Sequence, residues 1–247
     1  MNSWKVVAAL LGVACAAPAW AVGGLADLSV YDRTEGRQLQ VYWHHGRAYV
    51  VGKPGNEYQL ALRNRAGEDV LAVVSVDGVN VVSGETADPS QSGYVLEPSR
   101  TLEIRGWRKS LSEIAAFYFT ALPDSYAART GRPENVGVMG VAVFRRKAPL
   151  PPAPVAESAP RAESRAQGAG ADAARSAQAP LGTGHGRREA SPAYYAAFER
   201  ASSAPAELVT LYYDSYANLV ARGVIREPTP HARPPRPFPG FVPDPQG

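Results

Sequence analysis

One stretch of the sequence combines aromatic rings with positive charge. Trp107 lies between basic residues, and Tyr94 belongs to the preceding apolar run. A tryptophan ring flanked by guanidinium groups can stack on a sugar or attract an anion. The candidate binding residues are therefore Tyr94, Arg105, Trp107 and Arg108, and the ligand they indicate is a glycan. The other interpretation, which we favour, is a core or corner tryptophan beneath charged neighbours.

Two other groups contain residue types that bind metals. Carboxylates and an amide around one predicted hairpin suggest calcium; they are Asp77, Asn80, Glu85 and Asp88. Their spacing does not match an EF-hand, and an Asp-Gly turn already explains Asp77. His44 and His45 are adjacent on a predicted strand, so their side chains should point to opposite faces. We predict neither a metal site nor a cofactor.

Residues 182–186, Gly-Thr-Gly-His-Gly, resemble a backbone nest for phosphate. No clear strand precedes them and the P-loop lysine is missing, so we interpret them as a flexible docking turn. The chain has no Gly-x-Ser-x-Gly, His-Glu-x-x-His or Ser-x-x-Lys pattern. The paired carboxylates of a glycosidase are a spatial arrangement that sequence does not exclude. The sequence favours a non-enzymatic protein, and a hydrolase of unknown class is the third hypothesis.

The clearest signal for the strands that position these residues is Val76-Asp77-Gly78-Val79. Asp-Gly supplies the two positive φ angles of a type I′ turn, so Val76 should pair with Val79. This register places Val74, Val76, Val79 and Val81 on one face and Ser75 and Asn80 on the other. We predict an antiparallel ribbon with its valine face buried.

Short apolar runs that alternate with polar residues continue on both sides of this hairpin. Tyr58 and Leu60 alternate with polar neighbours before it, and Leu102 and Ile104 do so after it. Turn residues separate these runs at the spacing typical of antiparallel strands. We predict that residues 22–147 form an all-β domain, an antiparallel β-sandwich.

Two later segments have the composition of disordered chain. Residues 148–180 are rich in alanine and proline, and their few large apolar side chains cannot offset the entropy of ordering the chain. Residues 228–247 contain eight prolines, which is typical of polyproline II structure. We predict a disordered linker at 148–180 and a disordered Pro-rich tail at 228–247.

Between these segments, residues 181–227 regain aromatic side chains. Residues 208–213 fit either a strand or a helical stripe, and we favour a strand followed by a short helix. In that interpretation Asp214 or Ser215 caps the helix and Gly223 ends it. Fewer than 50 residues without a disulfide rarely fold alone. We predict an appendage that docks through its tyrosines onto the sandwich or onto a partner.

Residues 1–21 have the pattern of a secretory signal peptide. Lys5 precedes an apolar run, and Ala19-Trp20-Ala21 forms a small-x-small cleavage site. The run is too short to span a membrane. We therefore predict export to the periplasm or beyond, with no membrane span after cleavage. The alternative is a lipoprotein anchored through Cys15, the only cysteine in the chain.

The predicted mature chain has nearly balanced charge. The whole chain carries a formal net charge of +3, and loss of Lys5 with the leader lowers it to +2. A basic stripe beside an aromatic platform is missing from the sequence, so we predict no nucleic-acid partner. Removal of Cys15 leaves no thiol, which excludes cysteine nucleophiles and thiolate metal ligands.

Several short motifs resemble those of a group of exported bacterial proteins without an assigned activity. The main ones are Val76-Asp77-Gly78-Val79-Asn80-Val81, Gly93-Tyr94-Val95-Leu96 and Gly106-Trp107-Arg108. The resemblance extends to Ser125-Tyr126-Ala127-Ala128 and to residues 182–186. It implies export and the domain boundaries given above, and it transfers no functional residue.

These observations favour an exported, non-enzymatic β-sandwich that binds a protein of the bacterial cell envelope. The appendage, residues 181–227, would contact the sandwich or the partner, and the linker would set its reach. The second hypothesis is a carbohydrate-binding module that uses Trp107 and Tyr94. It requires these two rings to be exposed together.

Overall fold

The computed structural model describes residues 21–148 and 180–226. The predicted leader, linker and tail lie outside these residues, apart from the end residues of the first two. The described chain forms fourteen strands and two short α-helices. The strands are β1 (Ala26–Asp32), β2 (Arg37–Gln38), β3 (Val41–His44), β4 (Arg47–Val51), β5 (Glu57–Asn64), β6 (Val70–Val76), β7 (Val79–Asn80), β8 (Tyr94–Leu96), β9 (Thr101–Ile104), β10 (Gly106–Arg108), β11 (Glu113–Ala121), β12 (Val138–Arg145), β13 (Leu181–Ala190) and β14 (Glu207–Asp214). The helices are α1 (Tyr126–Arg129) and α2 (Tyr216–Ala221).

The strands form two seven-stranded sheets whose inner faces pack on each other. Sheet A has the order β3-β4-β14-β12-β6-β7, and β8 also pairs with β6. Sheet B has the order β10-β11-β5-β1-β2, while β13 pairs with β11 and β9 pairs with β5. Alternate side chains of both sheets form one continuous hydrophobic core. The predicted all-β sandwich is confirmed.

The central hairpin has the predicted register. Val76 pairs with Val79 and Ser75 with Asn80, and the φ angles of Asp77 and Gly78 are 53° and 71°. All four predicted valines are buried. The turn therefore sorts the faces as expected, although Asp77 and Asn80 are buried as well.

The segment predicted as an appendage supplies strands to both sheets. β13 pairs with β11 in sheet B, and β14 lies between β4 and β12 in sheet A. β14 is antiparallel to β12 but parallel to β4, so sheet A is mixed rather than purely antiparallel. A parallel pairing is possible here because β4 and β14 are far apart in sequence, and no short hairpin forces them to be antiparallel.

Residues 208–213 lie within β14, and the short helix that follows is α2. The Ser215 hydroxyl accepts a hydrogen bond from the backbone N–H of Asn218, which caps the helix. Gly223 has a φ of 71° and donates to the Val220 carbonyl. α2 packs on the outer face of sheet A, where Leu219 lies in a cluster with Tyr49.

An irregular segment, residues 191–206, crosses from β13 in sheet B to β14 in sheet A. Phe198 packs on the outer face of sheet A against a small apolar cluster that includes Phe144. Arg200 donates to the backbone carbonyls of residues 89–91. Tyr194 and Tyr195 are 90% and 91% exposed, so these two predicted docking tyrosines do not hold the segment in place.

The described part of the chain has only short helices. None of them is long or apolar enough to cross a membrane.

Candidate functional site

Trp107 does not form the predicted stacking surface. Its side chain is only 2% exposed, and its ring packs edge-on against Phe117 at 5.1 Å. The indole N–H donates to the Gly184 carbonyl at 3.2 Å. Strand pairing breaks at Arg105, between β9 and β10, so both Ile104 and Trp107 face inward. A glycan site that uses Trp107 is therefore wrong.

The other three predicted binding residues are only partly brought together. The Arg108 guanidinium donates to the Tyr94 hydroxyl at 3.2 Å and to the Ser191 carbonyl at 2.8 Å. Arg105 instead lies beside Glu103 at 3.9 Å on the surface. Arg108 thus connects the start of the 191–206 segment to the sandwich. Its hydrogen bonds give it a structural role.

Of the residues that suggested calcium, Asn80, Glu85 and Asp88 lie around Gln91, and the Asp77 side chain does not join them. Asp77 faces the interior, while the Asn80 side chain bonds to Gln91 and to the Ser92 carbonyl. Within residues 21–148 and 180–226, no three potential ligands form a metal-binding group. His45 has a φ of 47° and lies in the turn after β3. The two histidine rings consequently contact each other at 4.0 Å, and the prediction of opposite faces is wrong.

The glycine-rich run 182–186 is part of strand β13 and is neither a phosphate nest nor a flexible turn. Its glycines allow close packing across the strand. A Cβ atom at Gly184 would lie 2.2 Å from the Tyr118 ring, and one at Gly182 would lie 2.6 Å from the Ser125 Cβ. Thr183, between them, points into the core.

A buried chain of hydroxyl groups ends on the Asp77 carboxylate and joins the two sheets. The Tyr213 hydroxyl donates to Asp77 Oδ1 at 2.5 Å, and the Thr183 hydroxyl lies 2.6 Å from the Tyr213 oxygen. Tyr58 lies 2.6 Å from Thr183 Oγ1. Because Tyr213 gives its only proton to Asp77, Thr183 donates to Tyr213 and Tyr58 donates to Thr183.

Backbone groups complete the surroundings of Asp77. The N–H of Gly137 donates to Oδ1 at 2.9 Å and that of Thr183 donates to Oδ2 at 2.7 Å. Burial raises the pKa of Asp77 from 3.8 to about 6, although the hydrogen bonds from Tyr213, Gly137 and Thr183 lower it. Burial and the nearby Asp77 charge raise the pKa values of Tyr58 and Tyr213 well above 10. All four side chains of this network are buried in the core.

The raised pKa of Asp77 predicts a pH dependence of stability. The folded protein binds a proton on Asp77 between about pH 6 and pH 3.8, where the unfolded chain has lost it. The free energy of unfolding should therefore rise as pH falls from 7 to 4, by about 2 kcal/mol from this group. Asp77→Asn removes the titrating group and keeps a residue that suits the turn.

The measurement is urea unfolding of the wild-type protein and of Asp77→Asn at several pH values. The difference between the two proteins isolates Asp77, because carboxyls such as Glu35, whose pKa is lowered to about 2, contribute equally to both. A difference that stays constant from pH 7 to pH 4 would contradict the assignment.

An open groove of about 300 Å³ lies on sheet A beside the edge strand β3. Its lining includes Trp43 of β3, Arg47 of β4, and Leu208 and Tyr212 of β14. Trp43 is 56% exposed and Leu208 is also exposed. The Arg47 guanidinium lies 5.6 Å above the Tyr212 ring. We call this the Trp43 groove. It offers exposed apolar and aromatic surface beside a positive charge.

Glu207 fixes one end of the Trp43 groove. Its carboxylate accepts hydrogen bonds from the backbone N–H groups of Gly24 and Leu25, each at 2.6 Å, and of Ala26 at 3.3 Å. These bonds hold the segment before β1 against β14, and Gly23 of this segment lines the groove. The groove is therefore built from three separate parts of the sequence, which the prediction did not bring together.

The sequence carried one signal for this groove. Trp43 stands in a short strand before a His-Gly turn, and both flanking strands are brief. Such a tryptophan lies at a sheet edge unless another strand covers it.

Comparison with protein-family models, curated proteins and solved structures finds no match to this chain. The geometry of the β-sandwich and its groove is thus the basis for assigning a function.

Proposed function

We propose that this chain is an exported, non-enzymatic protein-binding module of the bacterial cell envelope and that it contacts its partner at the Trp43 groove. The observation that carries the proposal is the 56% exposure of Trp43 in a groove that the exposed Leu208 also lines. Exposed tryptophans that border a groove are frequent anchors of protein interfaces. Export follows from the leader pattern of residues 1–21.

The position of Asp77 supports a non-enzymatic role. Burial raises the pKa of Asp77 to about 6, and its side chain is wholly buried. Its two oxygens accept bonds from interior donors that hold strands of both sheets. This carboxylate stabilises the fold and does not face a substrate.

Substitution of Trp43 by alanine should weaken partner binding at least tenfold. Loss of an anchoring tryptophan at an interface typically costs 2 kcal/mol or more, which corresponds to more than tenfold in Kd. The stability of the fold should change little, because most of the ring is exposed. The measurement is capture from envelope extracts, followed by titration of the purified partner against wild-type and Trp43→Ala protein.

Leu111→Ala is the matched control, because Leu111 is also an exposed apolar residue but lies outside the groove. It should bind the partner as the wild type does. Equal affinities for wild type and Trp43→Ala would overturn the assignment of the groove. Deletion of residues 181–247 is unsuitable for this purpose, because it removes β13 and β14.

Carbohydrate binding is the second candidate function, now at Trp43 instead of Trp107. The polar groups of Arg47 and Thr210 line the same groove as the exposed indole, and this combination suits a sugar ring. A change in Trp43 fluorescence on titration with envelope polysaccharide, lost in Trp43→Ala, would favour this candidate over a protein partner.

A further inference from the structure

The described chain ends close to the Trp43 groove. Val224 and Ile225 pack in the cluster that contains Tyr49 and Leu219, and partly buried Tyr42 and Tyr212 lie against it. Tyr42 is adjacent to Trp43 in β3 but points to the opposite face of the sheet, whereas Tyr212 itself lines the groove. The described chain therefore ends at Arg226 on the face of sheet A that carries Tyr212, one of the residues lining the groove. The charge of Arg226 also contributes to the lowered pKa of His44 at the end of β3, after desolvation and His45.

The sequence after Arg226 has the chemistry that an aromatic groove binds. Residues 227–247 contain eight prolines, and Phe238 and Phe241 are their only aromatic side chains. Pro-rich segments bind grooves lined by aromatic rings because they lose little conformational entropy on binding. At about 3.1 Å per residue, the eleven residues before Phe238 span up to about 35 Å. This is ample for Phe238 to reach the groove from Arg226.

We propose that residues 227–247 bind the Trp43 groove of the same chain, with Phe238 and Phe241 as anchors, and that a partner must displace them. Tethering makes this binding intramolecular, and the effective concentration for a short flexible connection is in the millimolar range. Even a weak intrinsic affinity then keeps the groove occupied. The displacement by a partner rests on the proposed function, whereas the binding of the tail does not.

Tryptophan fluorescence of the mature chain tests this directly. Loss of residues 1–21 removes Trp4 and Trp20 and leaves Trp43 and Trp107. Because Trp107 is 2% exposed, quenching by acrylamide reports mainly on Trp43. The comparison is between residues 22–247 of wild type, the double variant Phe238→Ala and Phe241→Ala, and the control Thr229→Ala, which changes the tail without removing an anchor.

We expect the double variant to show about twofold stronger quenching and a red-shifted emission, while Thr229→Ala matches the wild type. A synthetic peptide of residues 227–247, added to the double variant, should restore the protection. Equal quenching in all three proteins overturns the proposal. A second outcome would also overturn the proposal: Trp43 is protected from quenching only at high protein concentration, and sedimentation shows dimers. The tail would then bind the groove of a second copy.

The two proposals fail in distinguishable ways. If quenching is equal in all variants but partner binding still depends on Trp43, the protein-binding function stands and the tail inference falls. If the tail protects Trp43 but no partner depends on Trp43, the tail inference stands and the function falls. If both hold, the double variant should bind the partner several-fold more tightly than wild type.

Discussion

Replacing Asp77 by alanine should lower the free energy of unfolding by about 4 kcal/mol. The substitution leaves the Tyr213 hydroxyl and the backbone N–H groups of Gly137 and Thr183 without their buried acceptor. Each unsatisfied donor costs about 1 kcal/mol or more. Alanine at the positive φ of position 77 adds roughly 1 kcal/mol. Because these costs are lower bounds, removal of the buried Asp77 charge, which is itself unfavourable, keeps the total at about 4 kcal/mol.

Urea unfolding at pH 7 measures this effect, and Asp88→Ala is the control. Asp88 is also a loop aspartate that bonds to a nearby residue, Ser90, but it is exposed. Its replacement should cost less than about 1 kcal/mol. Asp77→Asn should lie between the two, because asparagine tolerates the turn and can accept from Tyr213, while its NH₂ group opposes the Thr183 N–H. If Asp77→Ala were as stable as Asp88→Ala, the network would contribute nothing.

Replacing Gly106 by alanine should destabilise the protein by about 3 kcal/mol. A Cβ atom at this position would lie 2.0 Å from the Ala115 carbonyl oxygen and 3.0 Å from the Ala116 Cα. These are backbone atoms of β11, so β10 must move away from its partner strand. Overpacking of this kind typically costs 1–3 kcal/mol, and occasionally more. The displaced strand carries Trp107, whose burial would be reduced.

The measurements are urea unfolding and the near-ultraviolet circular dichroism of the tryptophans. Gly67→Ala is the matched control, because a Cβ atom at Gly67 meets nothing within 4 Å and its φ is not in the left-handed region. It should leave stability unchanged or raise it slightly. Equal stability of the two alanine variants would contradict the close approach of β10 and β11.

The features that sequence predicted correctly depend on neighbouring residues. Asp77 and Gly78 form the expected turn because positive φ angles and the flanking valines favour it locally. Ser215 and Gly223 delimit α2 because capping bonds span only a few residues. Alternation of apolar side chains then indicated a two-layer β fold, since burial of one face requires a second sheet.

Long-range contacts decided the candidate site. Trp107 faces the core because pairing shifts at Arg105 from β5 to β11, whereas strict alternation along one continuous strand would turn Ile104 and Trp107 to opposite faces. The acceptor role of Asp77 depends on Tyr213 and Thr183, which lie 136 and 106 residues away in sequence. No local pattern encodes such partners.

The class of fold, the turn at Gly78 and the helix after β14 could be predicted from the residues alone. The pairing of distant strands was needed to place β14 inside sheet A, Trp107 in the core and Trp43 at an exposed edge. These two groups of features differ in the sequence separation of the interactions that stabilise them. Turns and caps are stabilised within a few residues, whereas exposure depends on which distant strand covers each side chain.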